Sequence, residues 1–561
     1  MTRRITIDPV TRIEGHLRID VEVDAGRVTD AWASSQMWRG IETILRGRDP
    51  RDAWVITQRF CGVCTTVHAI ASIRSVESAL GAAVPVNAQW IRNLMIAQHA
   101  VQDHIVHFYH LSALDWVDVV SALEADPRAA ARLAETVSDW PGNSAAGFRE
   151  VRERLRRFAG SGRLGPFQNG YWGHPEMRLP PEANLMAAAH YLQALEVQRK
   201  GAQAVAVLGG KNPHIQNLCV GGVATAVDPD GMAALNLERL ALVRSLVEET
   251  RDFVRRVYLP DLFAIARAYP EWFRVGRGVD ALLAVPEFPV DETGGAFLLP
   301  GGFFPTGGLS SWQPIRRHDD ERLVRGIAES AEHSWYADPS PRHPWEGATE
   351  PVPADYDPEG KYTWCKAPRF EGVPVEVGPV AQVLAAYADG DARVRALVDG
   401  ACGALGIGPD DLHSVMGRMV ARGLRAALMA DLSVEFLNRL EANLAAGDRE
   451  YARPAEIPAK GEFRGVGFHE APRGMLSHWI VIEDGRIGRY QAVVPSTWNA
   501  SPRDAQGRSG PYEASLVGLP VADPERPLEV LRAIHSFDPC IACAVHTLDV
   551  RGREIARARV L

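Results

Sequence analysis

Leu17, Ile19, Val21 and Val23 alternate with polar neighbours and lead to a turn at Asp24-Ala25-Gly26, so residues 17 to 33 predict a β-hairpin. A second hairpin is predicted over 478 to 494, turning at Asp484-Gly485. Between the two the period lengthens. Ile91, Leu94, Met95, Gln98, Val101, Ile105 and Phe108 recur at the spacing of one helix face. Further helical periods lie near 182 to 208, 232 to 268, 381 to 404 and 412 to 446, lengths suited to a central bundle. Residues 269 to 375 show little periodicity and much Pro, Gly and aromatic content, which predicts a long ordered excursion over the surface. The expected class is α+β, predominantly helical, with a central bundle of long helices and small β-hairpin regions near both termini.

Composition narrows the possibilities. With 46% hydrophobic and 23% charged residues, the 561-residue chain reads as a soluble globular protein able to bury a large core. A net charge of −9 and a pI near 6.0 give no basic footprint for nucleic acid. No apolar run reaches the roughly 18 residues of a membrane-spanning helix. Arg3-Arg4 is a twin arginine, but Asp8, Arg12 and Glu14 break up the stretch behind it, so an export signal is not expected here.

The chemistry-bearing feature is a pair of Cys-x-x-Cys units at opposite ends of the chain, Cys61/Cys64 and Cys540/Cys543, followed by His68 and His546. Such a unit lets two sulfurs from one turn reach the same ion, and four soft thiolates select zinc, iron-sulfur clusters or another thiophilic metal. Spacing alone leaves structural zinc and a buried catalytic metal both open. A thioredoxin-type dithiol needs a βαβ context and does not explain the second pair. Length suggests about three or four domains. If one metal joins both pairs, however, the two ends pack together as one unit. Cys219, Cys365 and Cys402 are scattered, which is no disulfide framework.

Other polar clusters stand out: Arg12-Ile13-Glu14-Gly15-His16, Gly209-Gly210-Lys211-Asn212-Pro213-His214 and Glu470-Ala471-Pro472-Arg473-Gly474. Gly465-Val466-Gly467 lacks the third glycine of a dinucleotide fingerprint, Lys211-Asn212 is no phosphate loop, and His469-Glu470 lacks the second histidine of a zincin. Nucleotide enzymes are therefore disfavoured.

Together with Arg59-Phe60-Cys61-Gly62-Val63-Cys64 and Asp538-Pro539-Cys540, these clusters make five motifs spanning nearly the whole chain. In type and order they resemble the large, catalytic subunit of nickel-iron hydrogenases. The resemblance implies nickel held by Cys61, Cys64, Cys540 and Cys543, with Cys64 and Cys543 bridging to an iron that carries CO and CN ligands. Splitting dihydrogen, a very weak acid, requires a base beside the metal. Cys540 is the implied first proton acceptor and Glu14 the next station. Arg473, held by Asp103 and Asp538, would orient and polarise, because a guanidinium stays protonated. Ser496, in Val494-Pro495-Ser496-Thr497, would hydrogen-bond a cyanide, and Pro472 would stand behind the metal ligands. His68 would donate to a sulfur. Glu42, the carbonyl of Ala492 and His546 would bind magnesium or a second iron, and Val63 and Leu111 would line a gas path.

The remaining expectations concern partners. Two electrons leave per dihydrogen, yet no cysteines remain at cluster-like spacing, so an iron-sulfur small subunit is required. Residues 1–546 would form one catalytic unit, and 547–561 a maturation tail cut between His546 and Thr547 by a protease acting with nickel-insertion factors. Pro213-His214-Ile215-Gln216-Asn217 and Trp335-Tyr336-Ala337-Asp338 look most like exported uptake enzymes, which sit at the periplasmic face of the cell membrane with membrane electron-transfer subunits. In those enzymes export rides on the partner's signal. The alternatives are a dihydrogen sensor or a cytoplasmic hydrogenase. A quinone-site subunit of respiratory complex I shares the fold but lacks the cysteine pairs.

Overall fold

In the computed structural model, which describes residues 3–162, 167 and 170–544, the segments predicted to be helical form the middle of the molecule. Joined by α1 (Val67–Leu80), which the periodicity did not single out, they are in chain order α2 (Val86–Ile105), α3 (Pro181–Gly209), α4 (Leu237–Phe253), α5 (Leu259–Ala268), α6 (Pro379–Asp389), α7 (Ala392–Leu405) and α8 (Val415–Ala445). α2 is buried on nearly every side and packs against α3 and α8. Its apolar positions therefore exceed one face, as expected of a central helix.

Helix boundaries follow capping chemistry. Ser414 Oγ accepts from the Gly417 amide at 3.0 Å to open α8, and the Asn236 side chain accepts from Arg239 N at 3.0 Å to open α4. The period over 232 to 268 accordingly starts only at Leu237, and it passes through a π-helical turn, Val254–Tyr258, before α5. The single helix expected over 381 to 404 is two. Gly390, at φ +93°, ends α6, and the Asp391 carboxylate caps the amides of Arg393 and Val394 to start α7.

Both hairpins exist, and each gains a strand. β1 (Arg3–Ile7), β2 (Leu17–Asp24) and β3 (Arg27–Ser35) form one antiparallel meander. The excursion predicted over 269 to 375 is not confined to the surface. It contributes β4 (Ala281–Ala284), β5 (Gly301–Phe304), β6 (Gln313–Ile315) and β7 (Val375–Val377) to a mixed four-stranded sheet, and β4, β5 and β7 are wholly buried. Strands of three or four residues are too short to reveal alternation. The C-terminal meander is β8 (Glu462–Ala471), β9 (Gly474–Glu483) and β10 (Arg486–Val493). It lies directly on α1, and Gly467 explains the close approach. A Cβ there would sit 2.0 Å from Ala71 O. Gly465-Val466-Gly467 is thus a packing motif. One core cluster contains Ile5 and Leu17 from the first meander and Phe537, Cys540 and Ile541 from the C-terminal end.

Candidate metal centre

Cys61 and Cys64 sit in the turn ahead of α1, where the amides of Val63 and Cys64 point at Cys61 Sγ from 3.2 and 3.1 Å. Cys540 Sγ lies 3.3 Å from Cys61 Sγ and 3.6 Å from Cys64 Sγ, and all three sulfurs are buried within 4.8 Å of one another. As thiolates at that spacing each pair repels by about 4–5 kcal/mol, even with substantial screening. A cation between them turns the repulsion into ligation. The side chain of Cys543, and His546 and Thr547, lie outside the described residues.

The two chain ends are stitched together at Glu14. Its backbone bridges to Cys540, with Glu14 N donating to Pro539 O at 3.3 Å and Ile541 N donating to Glu14 O at 2.7 Å. Its carboxylate accepts from Ala542 N at 3.0 Å and lies 3.5 Å from Cys540 Sγ. Gly15 completes the seam: at φ +85°, a Cβ would fall 2.3 Å from Ala542 N. Burial, with help from Cys61, pushes the Glu14 carboxyl up to about 7. Arg12 anchors the same loop to Asp115 and, at 2.7 Å, to Leu111 O. Asp115 in turn accepts from His535 at 2.6 Å. Arg39 donates to Phe60 O and, at 2.8 Å, to Ala542 O, so it clasps both cysteine segments. No residue spacing announced Asp115, His535 or Arg39.

Arg473 is aimed by a two-residue connection. Ala471 pairs with Gly474 across β8 and β9, which leaves Pro472-Arg473 as the turn. Its guanidinium donates to both oxygens of Asp103 at 2.7 and 3.1 Å, and to Asp538 Oδ1 and O at 2.9 Å. Burial opposes that charge, but the two carboxylates outweigh it and hold the arginine well above its ordinary pKa. Ser496 Oγ accepts from Cys540 N at 3.0 Å. Cys64, Cys540, His68, Pro472, Arg473, Val494 and Ser496 together line one small cavity. His68 stacks on Phe60, and its Nδ1 is 3.0 Å from His478 Nε2.

The other expected residues fall farther out. Glu42 is buried and accepts from the amide of Ala492 at 2.9 Å and from Thr349. Beside it are residues the sequence did not single out. Lys366 donates to Gln491 at 2.8 Å, and burial raises Glu329 to about 7. Val63 is 36% exposed, Leu111 is half-buried, and neither lines the cavity that Cys64 and Cys540 share. His214, from the Gly209–His214 motif, reaches Cys61 O at 2.9 Å.

The donor set fits a soft metal: converging sulfurs, a cavity on one side of Cys64 and Cys540, and a buried cation at its rim. A structural zinc site would be closed, without that cavity. Comparison with known proteins agrees. Residues 39–546 match the family model for nickel-dependent hydrogenase, and residues 4–33 match a HoxL-like model. The hydrogenase-2 large chain of Escherichia coli K12 is 54% identical over 568 residues, covering all of both chains. The uptake hydrogenase large subunit of Rhizobium leguminosarum bv. viciae is 46% identical, over all of this chain and 97% of that protein. The solved Ni-Fe-Se hydrogenase of Desulfovibrio vulgaris Hildenborough superposes with a TM-score of 0.79 at 34% identity, covering 97% of this chain and 100% of that one. With its sulfurs gathered from both ends of the fold, the chain belongs to the nickel-dependent hydrogenases, as a large subunit of these oxidoreductases that act on dihydrogen.

Proposed function

We propose that the chain is the catalytic subunit of an uptake-type enzyme, splitting dihydrogen into protons and electrons in the seam between its two ends. The observation that carries this reading is the double role of Cys540, whose sulfur belongs to the thiol cluster and lies 3.5 Å from Glu14. Cys61, Cys64, Cys540 and Cys543 would hold a nickel-iron group, which would supply the redox chemistry. Cys540 takes the proton and passes it to Glu14, whose carboxyl near 7 can both accept and release it. Glu14 is half-buried, and so keeps contact with both the site and its surroundings. Arg473, fixed by Asp103 and Asp538, polarises the reacting end of the cavity. Pro472 and Val494 keep water from it, and Ser496 and His68 offer hydrogen bonds. Val63 and Leu111 belong to the route by which gas enters.

Electrons leave through an iron-sulfur small subunit and then membrane subunits. Cys219, Cys365 and Cys402 lie in separate parts of the fold and cannot hold a cluster together. Glu42, the Ala492 carbonyl and His546 bind magnesium or iron, with Thr349, Gln491 and Lys366 alongside. Residues 1–546 act as one unit after a protease removes 547–561. Among the described residues no helix is long and apolar enough to cross a membrane, so placement at the periplasmic face relies on partners. Metal analysis and infrared spectroscopy of the purified complex test the reading. Nickel is expected, with iron in excess of it because the small subunit's clusters add to the iron of the centre, together with carbonyl and cyanide bands; zinc alone would overturn it.

A further inference from the structure

A buried chain of hydrogen bonds runs away from the cavity through the C-terminal meander. His68 Nδ1 is 3.0 Å from His478 Nε2, His478 Nδ1 is 2.6 Å from Tyr490 Oη, and Tyr490 Oη is 2.8 Å from Ser72 Oγ. All four side chains are at most 2% exposed. Local structure dictates the geometry. His68 and Ser72 are one turn apart on α1, His478 is on β9, and Tyr490 on β10 faces Ile480, diagonally across from His478. The meander thus returns a phenol to the same helix face that carries His68.

The chain has two self-consistent proton orders. Full burial favours an uncharged imidazole with a single N–H, so one proton holds each hydrogen bond along the chain. In one order Tyr490 donates to His478, His478 donates to His68, and His68 presents an N–H at Nε2. In the other every proton points the opposite way, Tyr490 donates to Ser72, and His68 presents a lone pair. His68 lines the cavity with Cys64 and Cys540, and deprotonated cysteines are acceptors only. A lone pair facing them is repelled, whereas an N–H is attracted.

We propose that His478 and Tyr490 are positioning residues for the hydrogenase reaction: the order Tyr490 to His478 to His68 locks His68 as an N–H donor into the metal cavity. This rests on the nickel-iron reading above and adds a control on the electron density of its thiolates. Hydrogen bonds to metal-bound sulfur withdraw charge and raise reduction potentials. Tyr490→Phe removes the donor that sets the order while keeping the ring. The His68 N–H is then no longer enforced.

The test is infrared-monitored redox titration of the purified, metal-loaded complex carrying Tyr490→Phe, His478→Leu or His478→Gln. Carbonyl and cyanide bands are expected to move to lower wavenumber, and the midpoint potential to more negative values, in Tyr490→Phe and His478→Leu. His478→Gln, which restores an N–H donor, is expected to return both toward wild type. Turnover should fall about tenfold with KM for dihydrogen unchanged, the lower end of the cost for residues behind metal ligands. Wild-type bands and potential in Tyr490→Phe would overturn the proposal. If that variant does not take up metal, a His478→Gln enzyme that matches His478→Leu overturns it equally. Absence of carbonyl and cyanide bands in the wild type would instead count against the nickel-iron reading itself.

Discussion

The helical bundle and the seam at Glu14 hold together by different physics. In the bundle, α2 and α8 bury long apolar surfaces against each other, with Leu94, Val101, Leu432 and Leu437 fully enclosed. Each such side chain contributes roughly 1.5–3 kcal/mol by leaving water. The seam has few such groups. It joins residues from opposite ends of the chain by the Glu14 to Pro539, Ile541 and Ala542 hydrogen bonds and the Arg39 clasp. Hydrogen bonds of this kind contribute about 1 kcal/mol each. Stability therefore resides mainly in the bundle, and under the proposed function reactivity would reside in the seam, so substitutions should separate the two.

The largest separation is expected from Cys540→Ala. Dye-linked dihydrogen oxidation should disappear and nickel content should fall to background, while helical circular dichroism stays at the wild-type level. Loss of helix along with nickel would show that the bundle depends on the seam. Glu14→Gln probes the seam more finely, because glutamine can still accept from Ala542 N but cannot relay a proton. Turnover should drop on the order of 10²-fold, within the usual range for lost acid-base catalysis, with nickel retained. Near wild-type turnover would remove Glu14 from the proton path.

Leu432→Ala inverts the pattern. It should cost about 3 kcal/mol in denaturant unfolding, from lost burial and the cavity left behind. Turnover per bound nickel should be unchanged. A comparable loss of specific activity would mean that bundle packing tunes the site directly.

What could be read beforehand divides along the same line. Periodicity located α2, α3 and α8 because a 3.6-residue repeat survives in any long helix with an enclosed face. It joined α6 to α7, since the Gly390-Asp391 break is a capping event that a period averages over. The buried strands β4, β5 and β7 were missed because so few residues cannot display alternation. Of the residues that the structure gathers around the sulfurs, Cys61, Cys64, Cys540, Glu14 and Arg473 were named through motif resemblance. Asp115, His535, Arg39 and His478 were not. They act through contacts between segments far apart in sequence, and only the folded chain brings those contacts together.

An effect that nearly vanishes in mild acid tests the boundary between the two regions, at Glu470 on β8, three residues before Arg473. One carboxyl oxygen accepts from Val285 N at 2.9 Å, and the other, fully buried, has no partner among the described residues. Burial pushes this acid from 4.5 up to about 8. A neutral carboxyl is what such surroundings favour. Because the folded state keeps a proton that the unfolded state has already released, stability falls as pH rises from 4.5 towards 8, and the loss is complete above that. Glu470→Gln fixes the neutral form. It should leave the unfolding free energy at pH 5 within about 1 kcal/mol of wild type and raise it by roughly 4–5 kcal/mol at pH 9. Denaturant titrations at the two pH values measure this. If the variant gains nothing at high pH, Glu470 is ionised in the fold, and the turn carrying Arg473 rests on a buried charge instead of a neutral acid.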